Sequence, residues 1–336
     1  MKLFDFTNTI INASTERLKK IAAFNPFTIH KKGSKAKAIF ALSLVCILWG
    51  TTWVVAKRAV HYVPPLQVSG LRQFIAGTLY VSYFLFNGAK LPKGKEWGPI
   101  FILSILNFIL SNGLSTWGIK YISAGLASIM GAIFPLWIVI IGFFSSKSKM
   151  PTQAVIGLVI GFLGVCVIFY DHLNDFLNAD FRFGIFLSLI ATWTWAFATV
   201  YTKQQAASFN PYFSFGIQML ISGSTLLAFT NFTGIAAPLN QIALDGWLAL
   251  GYLIFFGSIL SFISYLYALQ HLPTEQASIY AYINPIVAVL VGAIVYGERV
   301  STYIVIGGLV TLAGVYFVNR AFKAAPAIEQ PETEGM

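Results

Sequence analysis

Polar and large amphipathic side chains recur at helical spacing inside stretches of this chain that are otherwise apolar. Ser104, Asn107, Ser111 and Ser115 fall on one helical face, and Ser188, Thr192, Trp195 and Thr199 on another. Ser258, Ser261 and Tyr265 form a third set, Gln276, Tyr280 and Asn284 a fourth, and Trp49, Thr52 and Trp53 cluster near the start. Polar groups are costly in hydrocarbon, so they face a helix interface or an aqueous cavity. The chemistry open to such a set is recognition. Aromatic faces pack the apolar body of a solute while hydroxyls and amides bond its polar end. Serines and threonines also let helices pack closely and bond back to their own carbonyls, and that packing reading stands beside the first. Asn107, Trp195, Tyr280 and Asn284 are harder to hide in an interface. With Trp49, Trp53, Ser128, Ser261 and Tyr265 they make up the expected substrate-binding set.

Four further residues carry expected structural or gating roles. Arg72 lies about two turns into an apolar run, where a charge costs ~2.5–3.5 kcal/mol at mid-membrane. It reads either as a counter-charge for a carboxylate or as a structural arginine bonded to carbonyls of neighbouring helices. Pro135 and Pro285 lie within helices, where each frees the carbonyl four residues earlier, Gly131 and Ala281. Such carbonyls line a site or accompany a simple kink. Glu275 stands at a span end, as does Glu298.

Bond-making chemistry has little support. All 12 acids lie in tails, loops or span ends, and His30, His61, His172 and His271 lie in tails or loops. There is no phosphate-binding glycine loop and no cluster with metal-ligand spacing. An embedded enzyme would gather acids, bases or a metal at one place, so no catalytic residue, metal or cofactor is expected. Cys46 and Cys166 each sit in an apolar run and suggest no disulfide framework.

The elements that must position these side chains follow from composition. The chain is 57% hydrophobic and 10% charged, with a mean hydropathy of +0.73, which excludes a soluble domain. Its net charge of +10 sits in short segments between apolar runs, as a topology signal rather than a nucleic-acid surface. A membrane helix needs roughly 20 mostly apolar residues. By that measure the sequence predicts an all-α membrane protein of ten transmembrane helices: 38–56, 66–86, 98–118, 124–144, 151–170, 184–202, 212–231, 246–269, 274–296 and 302–319.

Residues 1–37 hold eight of the 22 Lys and Arg and read as a basic cytoplasmic segment. They suit either an interfacial helix or a solvated tail. Residues 321–336 read as a disordered cytoplasmic tail. With the N-terminus inside, 16 basic residues lie on the inner side against five outside (Lys57, Arg58, Lys120, Arg182 and Arg299). That bias places both termini in the cytoplasm of an inner (plasma) membrane.

The chain also repeats itself. At a shift of 150, Ala127-Ser128-Ile129 falls on Ala277-Ser278-Ile279, Pro135 on Pro285, Gly157 on Gly307 and Gly164 on Gly314. At a shift of 146, Trp49 falls on Trp195, Lys57 on Lys203, Gly70 on Gly216 and Gly77 on Gly223. Two units of five spans, 38–170 and 184–320, result. An odd number of spans forces the second unit to enter from the opposite face, giving inverted repeats, the architecture of alternating access.

Trp49-Gly50-Thr51, Pro64-Pro65, Arg72, Gly77, Gly297-Glu298, Gly307 and Gly314 resemble the EamA-like repeat of the drug/metabolite transporter superfamily. The resemblance covers about 38–320. It implies a ten-helix carrier of five plus five inverted repeats that exports amino acids or other small metabolites, with its cavity among spans one, three, four, six, eight and nine. The partners implied are a small-molecule substrate and the lipid bilayer. Two departures make the halves unequal: Lys147-Ser148 stands where the second unit has Gly297-Glu298, and Gln218 stands where the first has Arg72. The other readings open are an importer or exchanger of another small solute, and a non-transporting membrane scaffold or receptor.

Overall fold

Prolines and polar caps set where the helices of this chain begin. Pro65 occupies the first helical position of α2 (Pro65–Phe86), where its missing N–H costs nothing. Asn210 caps α7 (Pro211–Phe232), its side-chain oxygen accepting from Tyr212 N at 3.0 Å and Phe213 N at 3.2 Å. Ser123 caps α4 (Ala124–Ala132) by accepting from Leu126 N at 3.1 Å. The structure, a computed structural model, describes residues 35–134, 136–137, 140–141, 152–205, 210–272 and 280–324. Pro135, Glu275, Gln276, Lys147, the segment 1–34 and the tail 325–336 lie outside the described residues.

The other elements are α1 (Lys35–Tyr62), α3 (Gly94–Gly118), α5 (Thr152–Asp171), α6 (Ala179–Gln205), α8 (Leu244–Tyr252 continuing through Leu253–Leu260 and Ser261–His271), α9 (Tyr280–Tyr296) and α10 (Thr302–Ala324). All regular structure among the described residues is helical. Among the described residues, six helices are long and apolar enough to cross a membrane: Lys35–Tyr62, Gly94–Gly118, Thr152–Tyr170, Ala179–Thr202, Tyr212–Phe232 and Leu244–Ala268. Ile283–Tyr296 and Thr302–Val318 are shorter apolar helices. α1 runs past the expected end at 56, so Lys57 and Arg58 belong to its last turns rather than to a loop.

Two helix pairs build the frame, and glycines set their spacing. On α5 and α10, a Cβ at Gly157 would stand 2.7 Å from Val318 N, and one at Gly164 would stand 2.4 Å from Thr311 N. Moving seven residues forward on α5 moves seven back on α10, so the pair is antiparallel. The contacts are also reciprocal. Gly307 meets Ile168 as Gly157 meets Val318, and Gly314 meets Gly161 as Gly164 meets Thr311, each contact mapping onto the other by the shift of 150.

α2 and α7 repeat the arrangement at a shift of 146: Gly77 meets Leu220 while Gly223 meets Phe74. Backbones approach this closely only across small residues, and van der Waals packing then holds helices together where hydrocarbon offers no hydrophobic drive. Two antiparallel, mutually reciprocal pairs are the signature of a pseudo-two-fold axis. The outer faces of α5 and α10 are apolar, with Phe162, Leu163, Leu309 and Tyr316 exposed, as contact with acyl chains requires.

α1 lies inside the frame against α4, α8 and α9. α3 and α8 each contain a π-helical stretch, Ser104–Gly113 and Leu253–Leu260. Bonding five residues apart instead of four rotates the side chains that follow. This rotation decides which of them reach the interior.

Candidate functional site

A cavity of about 200 Å³ lies between the two halves, walled by α1, α2, α3, α4, α6, α8 and α9. Trp49 sits on its wall at the centre of an aromatic cluster, its ring 5.0 Å from Tyr280, 5.1 Å from Tyr265 and 5.3 Å from Phe262. Trp53, one turn on, packs closely against α4 because Gly131 has no side chain; a Cβ there would meet the indole at 2.9 Å. Trp195 on α6 lines the opposite half with Thr192, whose hydroxyl donates to Ser188 O at 2.8 Å and Met130 O at 3.1 Å and so ties α6 to α4. Ser128 lines the cavity but turns its hydroxyl back to Gly125 O at 2.6 Å.

On α9, Tyr280, Ala281, Asn284 and Pro285 all face the cavity. Pro285 cannot donate to Ala281 O, so that carbonyl is freed beside the lumen. The Asn284 amide is satisfied with its nitrogen donating to Tyr280 O at 3.1 Å and Cys46 O at 3.0 Å.

The structure does not bring Ser261 and Tyr265 to the wall. Ser261 is fully buried and donates to Phe256 O, five residues back across the π-helical stretch. Tyr265 stands behind Trp49 and Tyr280, 5.4 Å from the latter ring. Ser104 likewise bonds back to Ile100 O at 2.7 Å and stays buried.

An amide network behind the cavity escaped the periodic reading. Asn112 lines the cavity, and its Oδ1 accepts from Ser69 at 2.8 Å and from Gln73 at 3.0 Å. Gln73 in turn accepts from Ser222 at 2.5 Å, across the α2–α7 contact. Asn107 donates to Gln218 Oε1 at 3.0 Å, and Gln218 donates to Ser214 at 3.0 Å. Each residue of the network except Ser214 has at least one partner across a helix contact, and such bonds hold buried polar groups in fixed orientations. A helical wheel at 3.6 residues per turn leaves Asn112 off the face of Asn107 and Ser111; the π-helical stretch returns it.

Arg72 is buried on the cavity wall, 9% exposed, its Nε donating to Ser258 Oγ at 2.7 Å and its Nη2 to Gly257 O at 3.1 Å. Away from the wall, Lys57 and Glu298 hold the α3–α4 connection from opposite ends. Lys57 Nζ donates to the carbonyls of Ile119, Lys120 and Ile122 at 2.9, 3.2 and 2.7 Å. Glu298 accepts from Ala124 N at 2.8 Å and Gly125 N at 3.3 Å, an anion at a helix N-terminus. Gly292 leaves room for that carboxylate, since a Cβ there would meet Oε2 at 2.6 Å.

The EamA-like transporter family matches this chain twice, over residues 36–170 and 182–320. The uncharacterized inner membrane transporter YedA of Escherichia coli (strain K12) is 30% identical over 311 residues, 88% of this chain and 96% of that protein. The uncharacterized transporter YvbV of Bacillus subtilis (strain 168) is 27% identical over 307 residues, 88% of this chain and 96% of that protein. A solved crystal structure superposes with a TM-score of 0.61 at 18% identity, covering 85% of this chain and 98% of the other; at that identity the likeness speaks for the fold alone.

Proposed function

The chain belongs to the EamA-like transporter family, and from that premise we propose that it exports a small organic metabolite, such as an amino acid, by alternating access. The reading has ten spans in two inverted five-helix repeats, in the inner (plasma) membrane, with both termini cytoplasmic. The observation that carries it is the cavity's position between halves whose glycine contacts are reciprocal. Two arrangements related by exchanging the halves would have similar energies, and a site between them would then open to either side in turn.

A cavity of about 200 Å³ suits a small solute, since an apolar cavity of roughly 150 Å³ holds one benzene. Trp49, Trp195 and Tyr280 would pack its body, and Asn107, Asn284 and the Ala281 carbonyl would meet its polar groups. Because no acid is among the described residues lining the cavity, the substrate's own gradient or exchange would drive the cycle.

Flux of amino acids and related metabolites in proteoliposomes tests the reading. Substrate-dependent efflux that persists without an imposed proton gradient is expected; no flux of any solute would refute it. A reporter fused at Met336 should be active in the cytoplasm, and activity confined to the opposite side would reverse the assigned topology.

A further inference from the structure

The charge on the cavity wall is one-sided. Among the described residues that line it, Arg72 is the only charged one. Its two bonds go to neutral partners, Ser258 Oγ and Gly257 O. A guanidinium carries five N–H donors, so donors remain that no acceptor among the described residues takes. No carboxylate pairs with it there; the ion pairs among the described residues are Arg58–Asp245 and His172–Asp175. A buried charge without a partner is expensive, and its position on a cavity wall makes an anion arriving in the cavity the natural partner.

The neighbouring amide has the same polarity. Ser69 and Gln73 both donate to the Oδ1 of Asn112, so the nitrogen is the end left for the lumen. Gln73 cannot turn to release it, because its own oxygen is held by Ser222. On the repeat-related side the polarity is opposite. Gln218 replaces the arginine and takes the Asn107 nitrogen, leaving the Asn107 oxygen as an acceptor.

We propose that the cavity recognises its solute through a single carboxylate, held by Arg72 and the amide nitrogen of Asn112, with the apolar body against Trp49, Trp195 and Tyr280. One guanidinium and one amide match a monoanion; a phosphate dianion would leave a charge unanswered. The inference rests on the transporter reading and adds to it the chemical class of the substrate.

The test is a titration of tryptophan emission, since Trp49, Trp53 and Trp195 line the cavity. The purified full chain in detergent is titrated with matched probes: 4-methylpentanoate, 4-methylpentanamide and 3-methylbutylamine, then 3-phenylpropanoate and its amide, then inorganic phosphate. Each acid should bind at least about ten-fold tighter than its amide, as a charge-assisted bond implies. The amine and phosphate should bind more weakly still. Arg72→Gln should bring acid and amide within about two-fold of each other, and Arg72→Lys should keep the preference.

Acids binding no better than amides, or not binding at all, would overturn the proposal, as would phosphate binding tightest. A preference undiminished in Arg72→Gln would do the same. The wild-type series decides the matter by itself if Arg72→Gln does not accumulate. Failure of the transporter reading looks different: proteoliposomes would carry neither acids nor amines, whatever the titrations give.

Discussion

Trp49 and Arg72 donate to one carbonyl, that of Gly257, from 3.3 Å and 3.1 Å. The two donors come from α1 and α2 of the first half, and the acceptor from the π-helical stretch of α8 in the second. The aromatic wall of the cavity and its charge are therefore fixed to a single backbone point. Any movement of α8 against α1 and α2 displaces both together.

Gly257→Ala tests this dependence. A Cβ there would stand 2.8 Å from Thr52 Cγ2 and 3.2 Å from Arg72 Nη2, so the Thr52 and Arg72 side chains, or the helices that carry them, must shift. Overpacking of this kind costs about 1–3 kcal/mol. We expect a lower melting temperature in detergent together with reduced flux per folded molecule. An unchanged melting temperature and unchanged flux would show that the shared carbonyl positions nothing.

The frame was far more legible in the sequence than the cavity was. Gly157, Gly164, Gly307 and Gly314 stand at one fixed shift, and the same four residues space α5 against α10. Trp49, Asn107, Trp195 and Tyr280 were visible because large or amide-bearing side chains stand out in apolar runs, and all four line the cavity. Asn112 was not visible, and Ser261 was misplaced, for one physical reason. A period of 3.6 residues per turn does not hold on either face, because Ser104–Gly113 and Leu253–Leu260 bond five residues apart. The pairing of Lys57 and Glu298 around one connection joins positions far apart in the chain, and no local pattern announces it.

Glu298 should stabilise the α3–α4 connection as much by hydrogen bonding as by charge. Glu298→Ala leaves Ala124 N and Gly125 N without their acceptors and should cost about 1–2 kcal/mol. Glu298→Gln keeps one acceptor oxygen and loses the interaction with the helix dipole, about 0.3–1 kcal/mol. Hydrogen exchange at residues 119–125 should rise in the order wild type, Gln, Ala. Equal protection in all three would separate Glu298 from that connection.

The reciprocal helix pairs predict a contrast between two glycines. Gly164→Ala would drive a methyl to 2.4 Å from the Thr311 backbone nitrogen, which cannot step aside as a side chain could. The cost should be about 1–3 kcal/mol, read as lost folded protein in membranes and a lower melting temperature. Gly308→Ala meets nothing nearer than Ile129 Cδ1 at 4.0 Å and should change stability by no more than about 0.5 kcal/mol. If the two variants behave alike, the close approach of α5 and α10 is not what holds them.

Trp195 and Tyr280 provide the sharpest separation of binding from packing. Both line the cavity, from α6 and α9 of the second half, and neither is fully buried. Tyr280 leans on Trp49 and Tyr265 at 5.0 and 5.4 Å, so its ring has a packing role in addition to the face it turns to the lumen. A residue that only packs would, on truncation to alanine, lower the amount of folded protein by the usual core penalty of about 3–5 kcal/mol for a large aromatic. A residue on a cavity wall leaves an already hollow space larger, and the penalty falls. Trp195→Ala and Tyr280→Ala should therefore remain abundant in the membrane while flux drops about ten-fold or more, or selectivity shifts towards bulkier solutes. Tyr280→Phe keeps the ring against Trp49 and should be milder than Tyr280→Ala. Quantified membrane abundance beside initial transport rates distinguishes the cases: abundance and flux falling in proportion would make both residues structural, and normal flux with normal selectivity would remove them from the site.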